Sequence, residues 1–284
     1  MKKIKMLIPK GRIYRKIAEL LQDSNVPLTS NDRMYIPKID DPEIEAKIMK
    51  PQNIAQIVEL GSHDVGFTGY DWIAESGAEV TEIMDLGLDP VKIVAAVPSG
   101  SDEESLLKRK IVVASEYENI SRKFLKDRGY EFLLIRTYGA SEAFPPLDAD
   151  MIIDNSSTGQ TLMDHGLEVI AELMDSSTRF IANPRALEDP IKAEKIQEMK
   201  MLFEAVLNAR CRVMLEMNVP SDRLDGIVAV LPCMRAPTVA PLYKERGYAV
   251  KVAVKREETV KLIPLLKKMG ATDILEFEFK KVIV

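Results

Sequence analysis

The chain has 284 residues, of which 46% are hydrophobic and 29% charged. That is enough to bury a sizeable core in two or three domains of roughly 100–200 residues each. A formal net charge of −5 excludes a nucleic-acid binder that depends on a basic surface, so a phosphate ligand has to be held by local donors.

The opening MKKIKMLIPKG has two lysines and a four-residue apolar run broken by Pro9. It is neither a signal peptide nor a membrane span, and a cytoplasmic protein is expected. Ile4–Ile8 reads as a strand running into Pro9-Lys10-Gly11-Arg12. A helix follows over Ile13–Leu21, with Ile13, Ile17, Leu20 and Leu21 at helical spacing. The cationic Lys10-Gly11-Arg12 turn is a candidate anion site; the plainer reading is two solvated charges flanking a turn. Asp32–Pro51 is polar and partly alternating (Met34, Ile36, Ile39, Ile44, Ile48), which predicts two strands of a hairpin and an exposed loop. Gln52–Leu60 is a helix ended by Gly61. Asp64–Gly69 is a short strand leading into the helix Tyr70–Ser76. Gly66 and Gly69 let a ligand approach the backbone around Thr68, or else serve a tight strand-to-helix turn. Glu82–Leu86 leads into a buried strand, Val91–Val97. The alternation predicts a parallel α/β sheet whose strand ends gather these loops.

The acidic crossover Ser99–Leu107 is the candidate lobe boundary. Strand Lys110–Ala114, helix Ser121–Arg128 and strand Phe132–Arg136 follow. Met151-Ile152-Ile153 then reads as a buried strand of a parallel sheet stopping at Asp154. Asn155, Ser156, Ser157, Thr158 and Gly159 form a small, hydroxylated loop, and Gln160–His165 is a helix start closed by Gly166. Strand, polar loop and helix start bring free N–H groups and hydroxyls, including Thr161, to bear on an anion. Asp154 stands where it can accept hydrogen bonds from sugar hydroxyls, so the stretch proposes a ribose-phosphate site. The alternative is a βα turn whose Ser and Thr merely cap the helix. Glu168–Asp175 and Thr178–Asn183 read as two more strands, the second returning to the first lobe, and Pro190–Ala209 as a long charged helix. The expected division is a first lobe of 1–98 plus about 179–208, a second lobe of 99–178, and a further domain of 209–284. A cleft between two such lobes encloses small polar ligands.

The last segment alternates over Cys211–Val219, and Ser221 is placed to cap a helix Asp222–Leu231. Strands Val239–Tyr243 and Tyr248–Lys255, helix Glu257–Met269 and strand Asp273–Ile283 complete a βαββαβ, ferredoxin-like unit. Its edge strands invite sheet-to-sheet pairing between copies. Cys211 and Cys233 are too few and isolated for a disulfide framework or a zinc site, and His63 and His165 form no nucleophile-base set.

Five collinear segments carry a resemblance across nearly the whole chain. They are LIPKGR (Leu7–Arg12), DVGFTGYDWIAESG (Asp64–Gly77), DLGLDPVKIVAAVP (Asp85–Pro98), GASEAFPPLDADMIIDNSSTGQTL (Gly139–Leu162) and LPCMRAPTVAPL (Leu231–Leu242). Together they resemble the ATP phosphoribosyltransferase family in its long form, the first enzyme of histidine biosynthesis. The resemblance implies a two-lobed, periplasmic-binding-protein-like catalytic region with a C-terminal regulatory domain. It also implies transfer of phosphoribose from phosphoribosyl pyrophosphate to N1 of the ATP adenine, with Mg2+ assisting and pyrophosphate leaving. Ser157, Thr158, Gly159, Gln160, Thr161 and Leu162 would hold the 5′-phosphate. Asp154 would face the ribose, Glu142 would support it, and Lys10, Gly11 and Arg12 would face the pyrophosphate or the ATP phosphates. Gly66, Thr68 and Gly69 would border the nucleotide. Tyr70 precedes Asp71 where the family pattern usually has Arg, which removes a cation there. In the C-terminal domain the resemblance implies histidine as feedback inhibitor and homo-oligomers from dimer to hexamer. Asn218, Met234, Ala236, Thr238 and Asp273 would line that pocket, with Asn218 standing where an acid is expected.

Two rival classes are a two-lobed solute-binding protein without turnover and the sensing half of a transcription regulator. The first is usually exported; the second calls for a helix-turn-helix and a basic surface that the sequence does not offer.

Overall fold

The computed structural model describes residues 3–29, 35–234 and 236–284. It divides into two compact units, one of 1–22 and 26–196, the other of 23–25 and 197–284. The chain position 196/197 falls inside one continuous helix, Pro190–Arg210.

The first unit is built on one mixed eight-stranded sheet. Strand β1 (Ile4–Pro9), helix α1 (Arg12–Asp23) and the small hairpin β2 (Leu28–Thr29) and β3 (Lys38–Ile39) come first. Then come β4 (Ile44–Met49), α2 (Pro51–Glu59), β5 (Val65–Gly69) and α3 (Tyr70–Ser76). A long strand β6 (Thr81–Pro98) leads to α4 (Glu103–Leu107), β7 (Ile111–Ser115), α5 (Glu118–Asp127) and β8 (Phe132–Arg136). A 3-10 turn over Ser141–Ala143 precedes β9 (Met151–Ser156), α6 (Gln160–Asp164), β10 (Leu167–Ala182) and α7 (Pro184–Glu188). Helix α8 is Pro190–Arg210.

The sheet order β4-β1-β5-β10-β6-β9-β7-β8 places two parallel trios on either side of a central antiparallel pair. β10 runs antiparallel to β5, and β6 antiparallel to β9. This corrects three expectations. The sheet is mixed, because β6 and β10 run in opposite directions between the two trios. The apparent pairs Glu82–Leu86 with Val91–Val97, and Glu168–Asp175 with Thr178–Asn183, are each one continuous strand. The polar breaks inside them are absorbed as register shifts in β10 and as positive φ at Gly87 and Asp89 in β6. Finally, Ile44–Met49 is no hairpin strand: it pairs parallel with β1 at the sheet edge, while the true hairpin is the two-residue pairing of β2 with β3. The part of that expectation on Asp32 and Met34 lies outside the described residues.

The inner strands β1, β5, β7 and β9 are buried on both faces over most of their length, which is why they read as mainly apolar runs, while the edge strands β4 and β8 alternate. Trp72, Tyr117, Ile93, Val113, Met151 and Ile153 belong to one core under the second trio. Leu7, Ile54, Val58 and Ile181 form another beside the first.

The second unit carries β11 (Arg212–Pro220), α9 (Leu224–Val230), β12 (Thr238–Pro241), β13 (Gly247–Lys255), α10 (Arg256–Lys268) and β14 (Thr272–Glu278). The order β12-β13-β11-β14, all antiparallel, is the expected βαββαβ sheet. β11 alternates as predicted, burying Val213, Leu215, Met217 and Val219. The residue at the N-cap of α9 is Arg223, not Ser221, because Asp222 and Arg223 are taken up in a turn that starts at Pro220. Among the described residues no helix is long and apolar enough to cross a membrane.

Candidate active site

Two adjoining pockets open on the first unit. One, of about 340 Å³, is walled by Gly139–Glu142 and by the Asp154–Gly159 loop with Thr161 and Leu162. The other, of about 300 Å³, is walled by Lys10, Arg12, Gly69, Asp71, Trp72, Val91 and the Ser176–Thr178 stretch of β10. Arg12, Glu116 and Asn155 border both.

In the first pocket β9 runs two residues further than Asp154, so the carboxylate projects from within the strand. Its Oδ2 accepts a short hydrogen bond from Ser141 Oγ, and its Oδ1 accepts from the Asn155 amide at 2.6 Å and from Asn155 Nδ2 at 3.0 Å. Burial pushes the Asp154 pKa up, with Glu116 and Glu142 adding negative charge nearby, while the hydrogen bonds from Ser141 and Asn155 oppose the shift. Beyond it the chain turns outward. Ser157, Thr158 and Thr161 are exposed, and the amides of Ser157 and Thr158 have no intramolecular acceptor among the described residues. Gly159 adopts φ +76°, a conformation a side chain rarely tolerates, and its N–H bonds Ser156 Oγ at 3.1 Å. Helix α6 has only five residues, so its dipole adds little and the donors are those of the loop itself. Gln160 is turned away, donating to Asp164 at 2.7 Å, and Leu162 is 5% exposed in the core under the loop. Neither presents its side chain to an anion.

The second pocket is fixed by a buried relay. Tyr117, fully buried and stacked on Trp72 with ring centroids 4.5 Å apart, donates its phenol to Asp71 Oδ2 at 2.7 Å and accepts from Asn155 Nδ2 at 3.1 Å. Asp71 Oδ1 in turn accepts from Ser176 Oγ at 2.6 Å. Ser141, Asp154, Asn155, Tyr117, Asp71 and Ser176 thus form one hydrogen-bonded chain from β9 to the start of α3. Burial, and then the Asp71 charge, push the Tyr117 pKa up, so the phenol stays a donor. Gly69 is required here because a Cβ would lie 2.0 Å from Asp71 Oδ1.

The cationic turn lies at this pocket's mouth. Gly11 has φ +85°, Arg12 Nε donates to Asp89 Oδ2 at 2.8 Å, and Lys10 Nζ sits 5.4 Å over the Tyr35 ring. Gly66 and Thr68 do not reach the pocket. A Cβ on Gly66 would strike Ile54 Cγ2 at 2.7 Å, so that glycine serves helix packing, and Thr68 Oγ1 is spent on the Pro51 carbonyl at 2.9 Å. Tyr70 is covered by the Arg179 guanidinium at 5.1 Å, so β10 supplies a cation beside the position that lacks one. Glu116, Tyr117 and Asp71 were not singled out in the sequence. The only signal was their place just past the carboxyl ends of β7 and β5, where sites of α/β sheets gather. Among the described residues no three His, Cys, Asp or Glu side chains converge to hold a metal.

In the second unit, Met234, Ala236 and Thr238 line a separate pocket of about 450 Å³ with Met214, Cys233 and Lys251. Asn218 and Asp273 are not among its walls; they bond each other at 2.9 Å across β11 and β14. The five residues therefore fall into two groups.

The comparisons with known proteins bear on the whole chain. The family described as "ATP phosphoribosyltransferase" matches residues 50–205, and "HisG, C-terminal domain" matches residues 209–281. ATP phosphoribosyltransferases of Chlorobium phaeovibrioides and Pelotomaculum thermopropionicum are each 38% identical; both alignments cover 99% of this chain, and 97% and 99% of the relatives respectively. The ATP phosphoribosyl transferase (HisG:HisZ) complex from Thermotoga maritima has the same fold, with TM-score 0.63 at 21% identity over 71% of this chain and 98% of that one. With both segments matched in order and relatives aligned end to end, the chain belongs to the ATP phosphoribosyltransferase family.

Proposed function

We propose that the chain transfers phosphoribose from phosphoribosyl pyrophosphate to N1 of the ATP adenine, releasing pyrophosphate as the first step of histidine biosynthesis in the cytoplasm. The observation that carries this reading is the Ser157–Thr161 loop, whose Ser157 and Thr158 amides have no acceptor among the described residues, lying directly beside Asp154 in a pocket that adjoins a second one rimmed by Lys10 and Arg12.

The loop amides and hydroxyls of Ser157, Thr158 and Thr161 take the 5′-phosphate, and Asp154 accepts from the ribose hydroxyls. Lys10, Gly11 and Arg12 take phosphates on the opposite wall. Displacement at an anomeric carbon passes through an oxocarbenium-like state, so the protein's work is to align nucleophile with leaving group and to stabilise separating charge. The Ser141 and Asn155 hydrogen bonds fix the Asp154 carboxylate against the developing positive charge, and Gly159 keeps the loop close to the phosphate. Mg2+ would be carried mainly by pyrophosphate oxygens, with Glu142 and Asp154 as the carboxylates that would help hold it, and would supply charge neutralisation on the leaving group.

The lobes are proposed as 1–98 with 179–208 and as 99–178. The 209–284 segment is proposed to bind histidine as feedback inhibitor near Asn218, Met234, Ala236, Thr238 and Asp273 and to join subunits into homo-oligomers. The test is an assay with ATP and phosphoribosyl pyrophosphate that follows the absorbance of N1-substituted adenine. Saturable binding without turnover would favour a binding protein instead.

A further inference from the structure

In a transfer between two bound molecules, the bond forms where the two pockets meet. Only Arg12, Glu116 and Asn155 border both pockets among the residues described. Arg12 is engaged by Asp89 at 2.8 Å, and Asn155 by Asp154 and Tyr117 at 3.0 and 3.1 Å. Glu116 is different. Its Oε2 receives a long contact from Gln52 Nε2 at 3.4 Å, and its Oε1 has no donor among the described residues. The Gln52 contact crosses from the start of α2 to the end of β7, so it orients the carboxylate from the facing lobe without neutralising it. Gln52 Oε1 is itself buried without a partner. Trp72, Val91 and Ile13 give the adjoining pocket an apolar wall suited to a flat ring.

The chemistry at this junction calls for an anion. As N1 of adenine bonds to C1′ of the ribose, the C1′–oxygen bond breaks and pyrophosphate leaves with the electron pair. The adenine, neutral before, becomes a cation spread over N1, C6 and the 6-amino group, whose N–H donors strengthen as the charge develops. An acceptor on that amine binds the transition state better than the ground state, which is the condition for raising the rate.

We propose that Glu116 is a catalytic residue of the transferase, accepting a hydrogen bond from the adenine 6-amino group and taking up the positive charge that N1 attack places on the ring. This assignment rests on the activity proposed above. It also makes Glu116 a specificity residue, since a purine without the amine has nothing to offer it.

The experiment is a two-by-two comparison in the full-length protein. Wild type and Glu116→Gln are each assayed with ATP and with purine riboside triphosphate, which keeps N1 but lacks the 6-amino group. Hydrogen bonds to charged groups are worth enough to set a factor of about 10–100. Glu116→Gln is expected to lower kcat/KM for ATP by about that factor and for the analogue by less than about threefold, so that the wild-type preference for ATP collapses. Glu116→Asp, which keeps the charge, is expected to retain part of the preference. Equal losses for both nucleotides, in a variant whose melting temperature matches wild type, would overturn the assignment while leaving the activity standing. No wild-type turnover with ATP would overturn the activity itself, and the assignment with it.

Discussion

Tyr117→Phe removes one oxygen from the middle of the buried relay and leaves the ring stacked on Trp72. Two hydrogen bonds are lost: the donation to the Asp71 carboxylate at 2.7 Å and the acceptance from Asn155 Nδ2 at 3.1 Å. A bond to a charged acceptor contributes about 1.5–3 kcal/mol and a neutral one about 0.5–1.5 kcal/mol. Since Tyr117 is fully buried, water cannot replace either, and the expected loss is about 3 kcal/mol. For a unit of this size that lowers Tm by roughly 6–12 °C. Trp72 is the only tryptophan in the chain, so its fluorescence during urea unfolding reports on this unit directly. The same substitution frees the Asn155 side chain that braces Asp154, and KM for phosphoribosyl pyrophosphate is expected to rise. A stability loss under about 0.5 kcal/mol, within the range of an ordinary surface change, together with an unchanged KM would refute the relay as a positioning device.

Asp154→Asn is expected to cut kcat by about 10²-fold or more, the size typical of losing one aligned electrostatic group, while raising stability at neutral pH. The sign follows from burial: a carboxyl whose folded pKa lies above the ordinary 3.8 binds its proton more tightly when folded. It therefore stabilises the fold below the unfolded value and loses that contribution as pH rises through the folded pKa. Comparing urea midpoints of the two proteins at pH 4 and pH 7 checks this, with the gap expected to widen toward pH 7. Gly66→Ala places a methyl 2.7 Å from Ile54 Cγ2 and is expected to cost about 1–3 kcal/mol with no change in either substrate's KM; a selective rise in KM would show that the glycine borders a ligand after all. Thr161→Ala is expected to weaken phosphoribosyl pyrophosphate binding by calorimetry. Asp273→Ala, which frees Asn218, is expected to weaken inhibition by histidine while leaving turnover in its absence unchanged.

Much of the framework was legible because its signals are local. The helix Tyr70–Ser76 appears with the bounds expected, closed by Gly77 at φ +63°, since a left-handed terminator is written in one residue. Strand Phe132–Arg136 is likewise as read. Strand direction and continuity were not legible. Nothing in Asp85–Val91 distinguishes a turn between two strands from a bulge inside one, because Gly87 and Asp89 satisfy either. The loop after Asp154 was legible only as a choice, since hydroxyls and a glycine past a buried strand serve a phosphate site or a helix-capping turn equally well in one dimension. Glu116 was not, because a lone acid after an apolar run looks like any solvated turn until the opposite wall is in view. Gly66 misled for a related reason: a glycine needed by a neighbouring helix and one needed by a ligand look alike in one dimension.

The irregularities of the two crossing strands coincide. Gly87 and Asp89 break the regularity of β6 opposite the place where β10 shifts register between Ser176 and Arg179. β10 shifts register elsewhere too, between Val169 and Ala171, Glu172 and Met174, and Phe180 and Ile181, but at this level the partner strand departs from regularity as well. Bulges in both strands at one level make this the most sharply twisted stretch of the ribbon. Arg12 and Lys16 both grip Asp89 at this level, at 2.8 and 3.2 Å. An anion drawing Arg12 into the pocket would leave Lys16 as the remaining cation on Asp89, so the left-handed residue of β6 and the phosphate-facing turn after β1 compete for the same side chain.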